Sequence, residues 1–180
     1  SKAAELREKL QVSYTAIVVG AVAKALREHP MINSTLEGNQ IKIFEDMNVG
    51  VAVATQYGLV VPVIHNADKK SIKEIETALK ELTEKARHGK LTKEEVTGGT
   101  FTITNLGMYG VEFFTPIINP PEAAILGVGK LTEKPVVVGG KVEVKPVIML
   151  SLSYDHRIVD GAPAAELLLK VKESIESIEV

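Results

Sequence analysis

The stretch from Val147 to Gly161 constrains the fold more than any other part of the chain. It opens as an apolar strand, Val147 to Tyr154, which reads as the central strand of a sheet. It closes in a polar turn where Asp155, His156 and Arg157 leave the strand together. Asp160-Gly161 then leads into an apolar helix running to about Ile178. A histidine held between a buried strand and a helix start is well placed to act as a base. The strand is rigid, the turn gives access, and neighbouring carboxylates can orient the ring.

The remaining elements decide how that strand is enclosed. Ser1 to Leu10 is charged and helix-favouring, a linker or a helix end. Ser13 can cap a helix to about Glu28, with Ile17, Ala21 and Ala25 inward, and His29-Pro30 stops it. Its Ala/Gly/Val-rich middle predicts close packing on a sheet. Asn33 to Leu36 and Gln40 to Phe44 flank Gly38-Asn39 as a hairpin. Asn48 to Ala54 and Leu59 to Ile64 read as two strands. A second helix spans Asp68 to Arg87, with Ser71 and Glu74 as a capping box and Gly89 beyond its end. Leu91 to Val96 is a short helical turn, and Thr100 to Thr104 alternates like a strand. Ala123 to Val128 reads as a fully buried strand, and Val136 to Val144 as a hairpin turning on Gly139-Gly140. Hairpins mixed with three separate helices predict an α+β fold: a mixed β-sheet with helices packed on one face.

Composition narrows the function. The 180 residues suffice for one domain with a real core. A net charge of −2, without a basic stripe, gives no reason to expect nucleic acid or an anionic membrane. The most apolar run, Thr15 to Leu26, contains Lys24 and is too short to span a bilayer. The absence of cysteine removes disulfides, thiolate metal sites and a cysteine nucleophile, and suits a cytoplasmic location. The chain starts at Ser1 and enters helix-like sequence at once, so a fragment of a longer protein is expected.

Of the four histidines, His29 precedes a proline at a helix end, His65 follows a strand and His88 ends a helix; a structural role fits each. No pair has H-x-x-x-H spacing, so no metal is expected. His156 stands between two readings, a ring bonded to backbone in a capped turn and a catalytic base. Asp160 sits where an N-cap belongs, and Arg157 is expected to pair with a carboxylate. Thr104 reads plainly as a β-branched strand end before an Asn-Leu-Gly turn.

His156-Arg157-x-x-Asp160-Gly161, preceded by Ser151-Leu152-Ser153-Tyr154-Asp155, closely resembles the signature of the dihydrolipoamide acyltransferases, the core components of 2-oxo acid dehydrogenase complexes. Two further stretches, Gly98 to Gly107 and Phe114 to Gly127, resemble that family in the same order, so the likeness covers nearly the whole chain. It implies a chloramphenicol acetyltransferase-like fold and a trimer with the active site between subunits. The residue matching His156 would be the general base, and that matching Asp160 a supporting charge. The residue matching Thr104, often serine in the family, would donate from the adjoining chain to an oxyanion. The substrates implied are coenzyme A and a lipoyl group carried on a separate domain, with no metal.

The resemblance also implies what lies outside these residues. The lipoyl domain, the peripheral-subunit-binding domain and the first part of the catalytic domain would precede Ser1. Through those domains the 2-oxo acid decarboxylase and dihydrolipoamide dehydrogenase components would attach. An apolar C-terminal segment, here Ile175 and Ile178, would join trimers into a cage. Two alternatives stay open: a non-catalytic scaffold subunit, and an acetyl-coenzyme A-dependent enzyme for a free small acceptor. A hydrolase using the same His and Asp would need a nucleophile or metal that the sequence does not offer. The acyl group is open among acetyl, branched-chain and succinyl, with Pro120-Pro121-Glu122 closer to the first two.

Overall fold

The structure is a computed structural model that describes residues 7–177. Of the expected segment 1–10, residues 7–10 are helical and the rest lies outside the described residues, as does Ile178. Helix α1 (Tyr14–Glu28) begins where Ser13 Oγ accepts from the Ala16 N–H at 3.2 Å. The Ser13 hydroxyl also donates to Glu76 at 2.6 Å, which ties this helix start to α2 (Ile72–Arg87). Every residue from Ala16 to Ala23 is buried, so the small side chains allow close approach on all sides. The capping box of Ser71 and Glu74 forms as expected, and it fixes the start of α2 at Ile72. Ala67–Lys69 is a separate 3₁₀ turn, and extended Lys70 breaks it from the helix.

Strands β1 (Ser34–Glu37) and β2 (Gln40–Ile43) form the expected hairpin. The next two expected strands each divide. β3 (Val49–Val51) and β6 (Val63–Ile64) enter the main sheet, while β4 (Val53–Thr55) and β5 (Gly58–Val60) form a separate ribbon. The division has a hydrogen-bonding cause. Ala52 N–H donates to the Ile103 carbonyl, and Pro62 has no N–H to continue the ladder.

The main sheet runs β6-β3-β7-β8-β9, with β7 (Phe101–Asn105), β8 (Ala124–Val138) and β9 (Lys141–Tyr154). It is mixed: β3, β7 and β8 are parallel, and β6 and β9 are antiparallel to their neighbours. The expectation that Val147 to Tyr154 is central is corrected: β9 is an edge and β7 is the middle strand. The Gly139-Gly140 turn makes β9 a hairpin partner of β8, and parallel β7 occupies the other side of β8. The two pieces expected on either side of position 130 are one strand, offset by a bulge between Val128 and Leu131. Beyond it the hairpin arm exposes Val137, Val142 and Val144.

The core lies on one side of this sheet. Phe101, Ile103, Ala124, Leu126 and Val128 face α1, α2 and α3 (Gly161–Ser177), with Leu150 and Leu152 partly buried against them. Leu167 and Val171 of α3 are 1% exposed, each worth roughly 1.5–3 kcal/mol of burial. Ile175 packs against the same core. The α+β layer with helices on one face is therefore the observed architecture. The other face carries Thr102, Thr104, Gly127 and Ser151, and an irregular segment, residues 111–122, crosses it like a strap.

Candidate active site

β9 ends with Asp155 N–H donating to the Ala123 carbonyl at 2.8 Å. The chain then turns sharply. Asp155 accepts from the Arg157 N–H at 3.0 Å, and its carboxylate is gripped by the guanidinium: Nε to Oδ1 at 3.0 Å and the terminal nitrogen to Oδ2 at 2.6 Å. The hydrogen bonds from the Arg157 side chain and backbone hold the Asp155 carboxyl below its ordinary pKa, and the bond to Asp155 raises that of Arg157. The expected Arg157–carboxylate pair is this bidentate clamp.

The clamp pushes the residue between its arms outward. The His156 side chain is 69% exposed, with Nδ1 3.7 Å from Asp160 Oδ1. Its ring stacks obliquely on Tyr154 at 5.7 Å. The other three histidines each use a ring nitrogen on a carbonyl: His29 on Ala25, His65 on Glu94 and His88 on Glu84. His156 makes no hydrogen bond among the described residues, so the capped-turn reading fails for it. Asp160 departs from expectation too. Its backbone carbonyl accepts from Ala164 at 3.3 Å, but its carboxylate caps no N–H among the described residues and lies toward the imidazole. Gly161-Ala162-Pro163 starts α3 without it, since Pro163 needs no N–H partner in a first turn.

Thr104 is half-buried on the strapped face of β7, in one row with Gly127 of β8 and Ser151 of β9. Ser151 Oγ donates to the Phe114 carbonyl at 2.6 Å, fastening the strap across that row. Gly127 is required there, because a Cβ would stand 2.6 Å from Ser151 Oγ and 3.0 Å from the Phe114 ring. Lys130 N–H donates to the Val111 carbonyl and Asn119 Nδ2 to Thr102 Oγ1, holding the two ends. Gly107 N–H donates to Asn105 Oδ1 at 2.8 Å and closes the expected Asn-Leu-Gly turn, while Leu106 N–H donates across to the Val128 carbonyl of β8.

The structure does not bring Thr104 and His156 together within one chain. Thr104 is level with Ser151, three residues before Tyr154, and His156 lies two residues further on, two strands away. At about 3.3 Å per residue and about 4.8 Å per strand, their α-carbons are roughly 15–20 Å apart. The Thr104 end also displays apolar surface: Met108 is 76%, Phe113 62% and Ile117 90% exposed. Three large apolar side chains this exposed within ten residues of sequence favour contact with another molecule. Sequence reasoning named His156, Asp160 and Thr104 but gave no role to Ser151, Phe114 or Glu122. For Glu122 a signal existed, a carboxylate directly preceding a fully buried strand.

The fold defines a class first: a mixed sheet with three helices on one face and a histidine turn at the edge strand. Chloramphenicol acetyltransferase shares that fold, with a TM-score of 0.60 at 13% identity over 96% of this chain and 82% of that one. The chain belongs to the family of 2-oxoacid dehydrogenases acyltransferase catalytic domains, whose model matches residues 1–180. The succinyltransferase component of the 2-oxoglutarate dehydrogenase complex of Rickettsia typhi is 44% identical over 97% of this chain. The chain spans 44% of that relative's length. The dihydrolipoamide acetyltransferase of Azotobacter vinelandii has a TM-score of 0.91 and 36% identity, covering 97% of this chain and 75% of that one. That structure was solved to define the role of a serine, a histidine and an asparagine in its catalytic mechanism. The cubic core of a pyruvate dehydrogenase multienzyme complex superposes equally well, with a TM-score of 0.91, 36% identity and the same coverage.

Proposed function

We propose that this chain moves an acyl group between the thiol of dihydrolipoamide and the thiol of coenzyme A, by direct transfer at a seam between two copies. The observation that carries this is the split site: an exposed, unbonded His156 beside Asp160 at one end of the sheet, and Thr104 at the other. The serine, histidine and asparagine of the Azotobacter enzyme are spaced along their chain as Thr104, His156 and Asp160 are here. That supports assigning those three the same places, with Thr104 keeping the hydroxyl and Asp160 supplying a carboxylate instead of an amide.

A thiol with a pKa of about 8.5 is only a few per cent thiolate near neutrality. Neutral His156 takes the proton as the sulfur attacks the thioester carbonyl, an effect of roughly 10²–10⁴-fold. Asp160 favours the imidazolium that forms. The Thr104 hydroxyl of the adjoining chain donates to the tetrahedral oxyanion, worth roughly 2.7–4 kcal/mol by comparison with other oxyanion donors. The proton then passes from His156 to the departing sulfur, and no acyl-enzyme is needed. A homotrimer covers the apolar surface around Ile117, and the cubic-core neighbour favours further assembly into a cage. The lipoyl domain and the decarboxylase and dehydrogenase components reach this core through domains beyond these residues. The cytoplasm is the compartment proposed for it.

The test uses two inactive chains. His156→Ala and Thr104→Val are each expected to lower turnover of dihydrolipoamide with acetyl-, isobutyryl- or succinyl-coenzyme A by at least about 10²-fold. Co-refolded in equal amounts, they regain about one quarter of wild-type seams, because random pairing restores one seam in about four. Mixtures no more active than either parent would falsify the shared site, and unchanged turnover in His156→Ala would favour the scaffold alternative.

A further inference from the structure

The far end of the strap rests on a carboxyl that the reaction does not use. Glu122 is 6% exposed, just before β8. Its Oε1 accepts from Asn119 Nδ2 at 3.4 Å, and the same amide donates to Thr102 Oγ1 at 3.2 Å. Oε2 is buried and has no partner among the described residues. The backbone packs directly on this carboxyl, since a Cβ on Gly99 would stand 2.9 Å from Oε1. Asn119 therefore ends the strap by bridging the buried acid to β7, two residues from Thr104 on the same face.

Among the described residues no cation pairs with Glu122. Val63 of β6, the glycine entry to β7 and Asn119-Pro120-Pro121 surround it. The cleft beyond, about 850 Å³, carries Glu37, Glu45 and Asp46. Glu37 and Asp46 are tied to Lys42 and Lys69 at 3.4 and 3.6 Å. His65 lies against Gly98 and turns Nε2 to the Glu94 carbonyl. Asp155, beyond Ala123, is neutralised by Arg157. Burial pushes the Glu122 carboxyl up to about 7, and the Thr102 and Asn119 hydrogen bonds offset only part of that.

We propose that Glu122 is a positioning residue that holds the strap against the Thr104 face as a neutral acid and loosens it as a carboxylate. This rests on the role of Thr104 given above. A neutral carboxyl tolerates a dry site beside the neutral Asn119 amide, whereas a carboxylate with one bare oxygen demands water. Water reaches it from the cleft only if Asn119 and the two prolines lift. Because Phe114 remains fastened to Ser151, the segment between Phe114 and Asn119 takes up the movement, and that segment walls the hydroxyl end of the site. Deprotonation releases a proton to solvent and involves no other group.

The experiment is hydrogen–deuterium exchange of the strap, read at the Glu122 amide that donates to the Asn119 carbonyl at 3.0 Å, in the assembled protein at pH 6 and 8.5, corrected for intrinsic rates, in wild type and Glu122→Gln. At pH 8.5 the carboxylate outnumbers the neutral acid about thirtyfold, given a pKa of about 7. Wild-type strap protection is therefore expected to fall roughly tenfold or more between the two pH values, and Glu122→Gln to keep it. The infrared band of a protonated carboxyl should vanish from wild type over the same range, a readout that stands if Glu122→Gln does not fold. In turnover assays, wild type loses kcat on the alkaline side relative to Glu122→Gln with KM unchanged. Equal pH dependence of strap protection in the two proteins, or a carboxyl already ionised at pH 5, overturns the proposal. Exchange needs no substrate, so an inactive protein with a pH-sensitive strap would sink the acyltransferase reading and spare this one.

Discussion

Replacing Gly127 with alanine tests how the strap is fastened. The new methyl would lie 2.6 Å from Ser151 Oγ and 3.0 Å from the Phe114 ring, both inside normal contact distance. One added carbon in a packed site costs roughly 1–3 kcal/mol. Displacing Ser151 Oγ also removes its 2.6 Å hydrogen bond to the Phe114 carbonyl, worth about 0.5–1.5 kcal/mol. Gly127→Ala should therefore destabilise the fold by about 2–4 kcal/mol. Ser151→Ala alone loses only the hydrogen bond, and it removes the atom that the methyl strikes first. In that background Gly127→Ala should cost about 1 kcal/mol less, a coupling expected of residues in contact. Urea denaturation of the four proteins at one fixed concentration measures the cycle, since assembly shifts apparent stability. Strictly additive costs would mean that the methyl and the hydroxyl never meet, and the packing argument would fail.

Two further outcomes follow from buried polar groups. The folded chain holds the Glu122 proton up to a pH of about 7, against an ordinary value of 4.5. The folded state thus binds more protons in that window, so stability from this group is full below about pH 4.5 and is lost as pH rises through about 7. The difference is roughly 3 kcal/mol, and thermal melts of wild type against Glu122→Gln from pH 4 to 8 should diverge by that amount. Ser13→Ala removes the cap of α1 and the 2.6 Å bond to Glu76, so it should cost about 1–2 kcal/mol in the same denaturation assay with turnover intact.

Much of the fold was legible locally. Ser13, the Ser71–Glu74 box, Gly38-Asn39 and Gly139-Gly140 set element boundaries through short-range chemistry, and each acts as expected. Pairing partners were not legible, because they depend on contacts far apart in sequence. That is why Val147–Tyr154 read as central when β9 lies at an edge, and why one long β8 read as two pieces. Pro62 could have revealed the divided strands, since a missing N–H must interrupt a ladder. In the site, His156 stood out by its motif, but the reason its ring is exposed lies in the Asp155–Arg157 clamp. The strap has no periodicity at all, so its anchoring by Ser151 and Glu122 emerges only in three dimensions.

The distance between Thr104 and His156 has a consequence for the life of the protein. If those two residues act as proposed, a newly made, solitary copy owns both halves of the machinery yet cannot close them on one thioester. Under the proposed mechanism, reactivity is withheld until partners arrive, and correct assembly itself becomes the switch that turns the chemistry on.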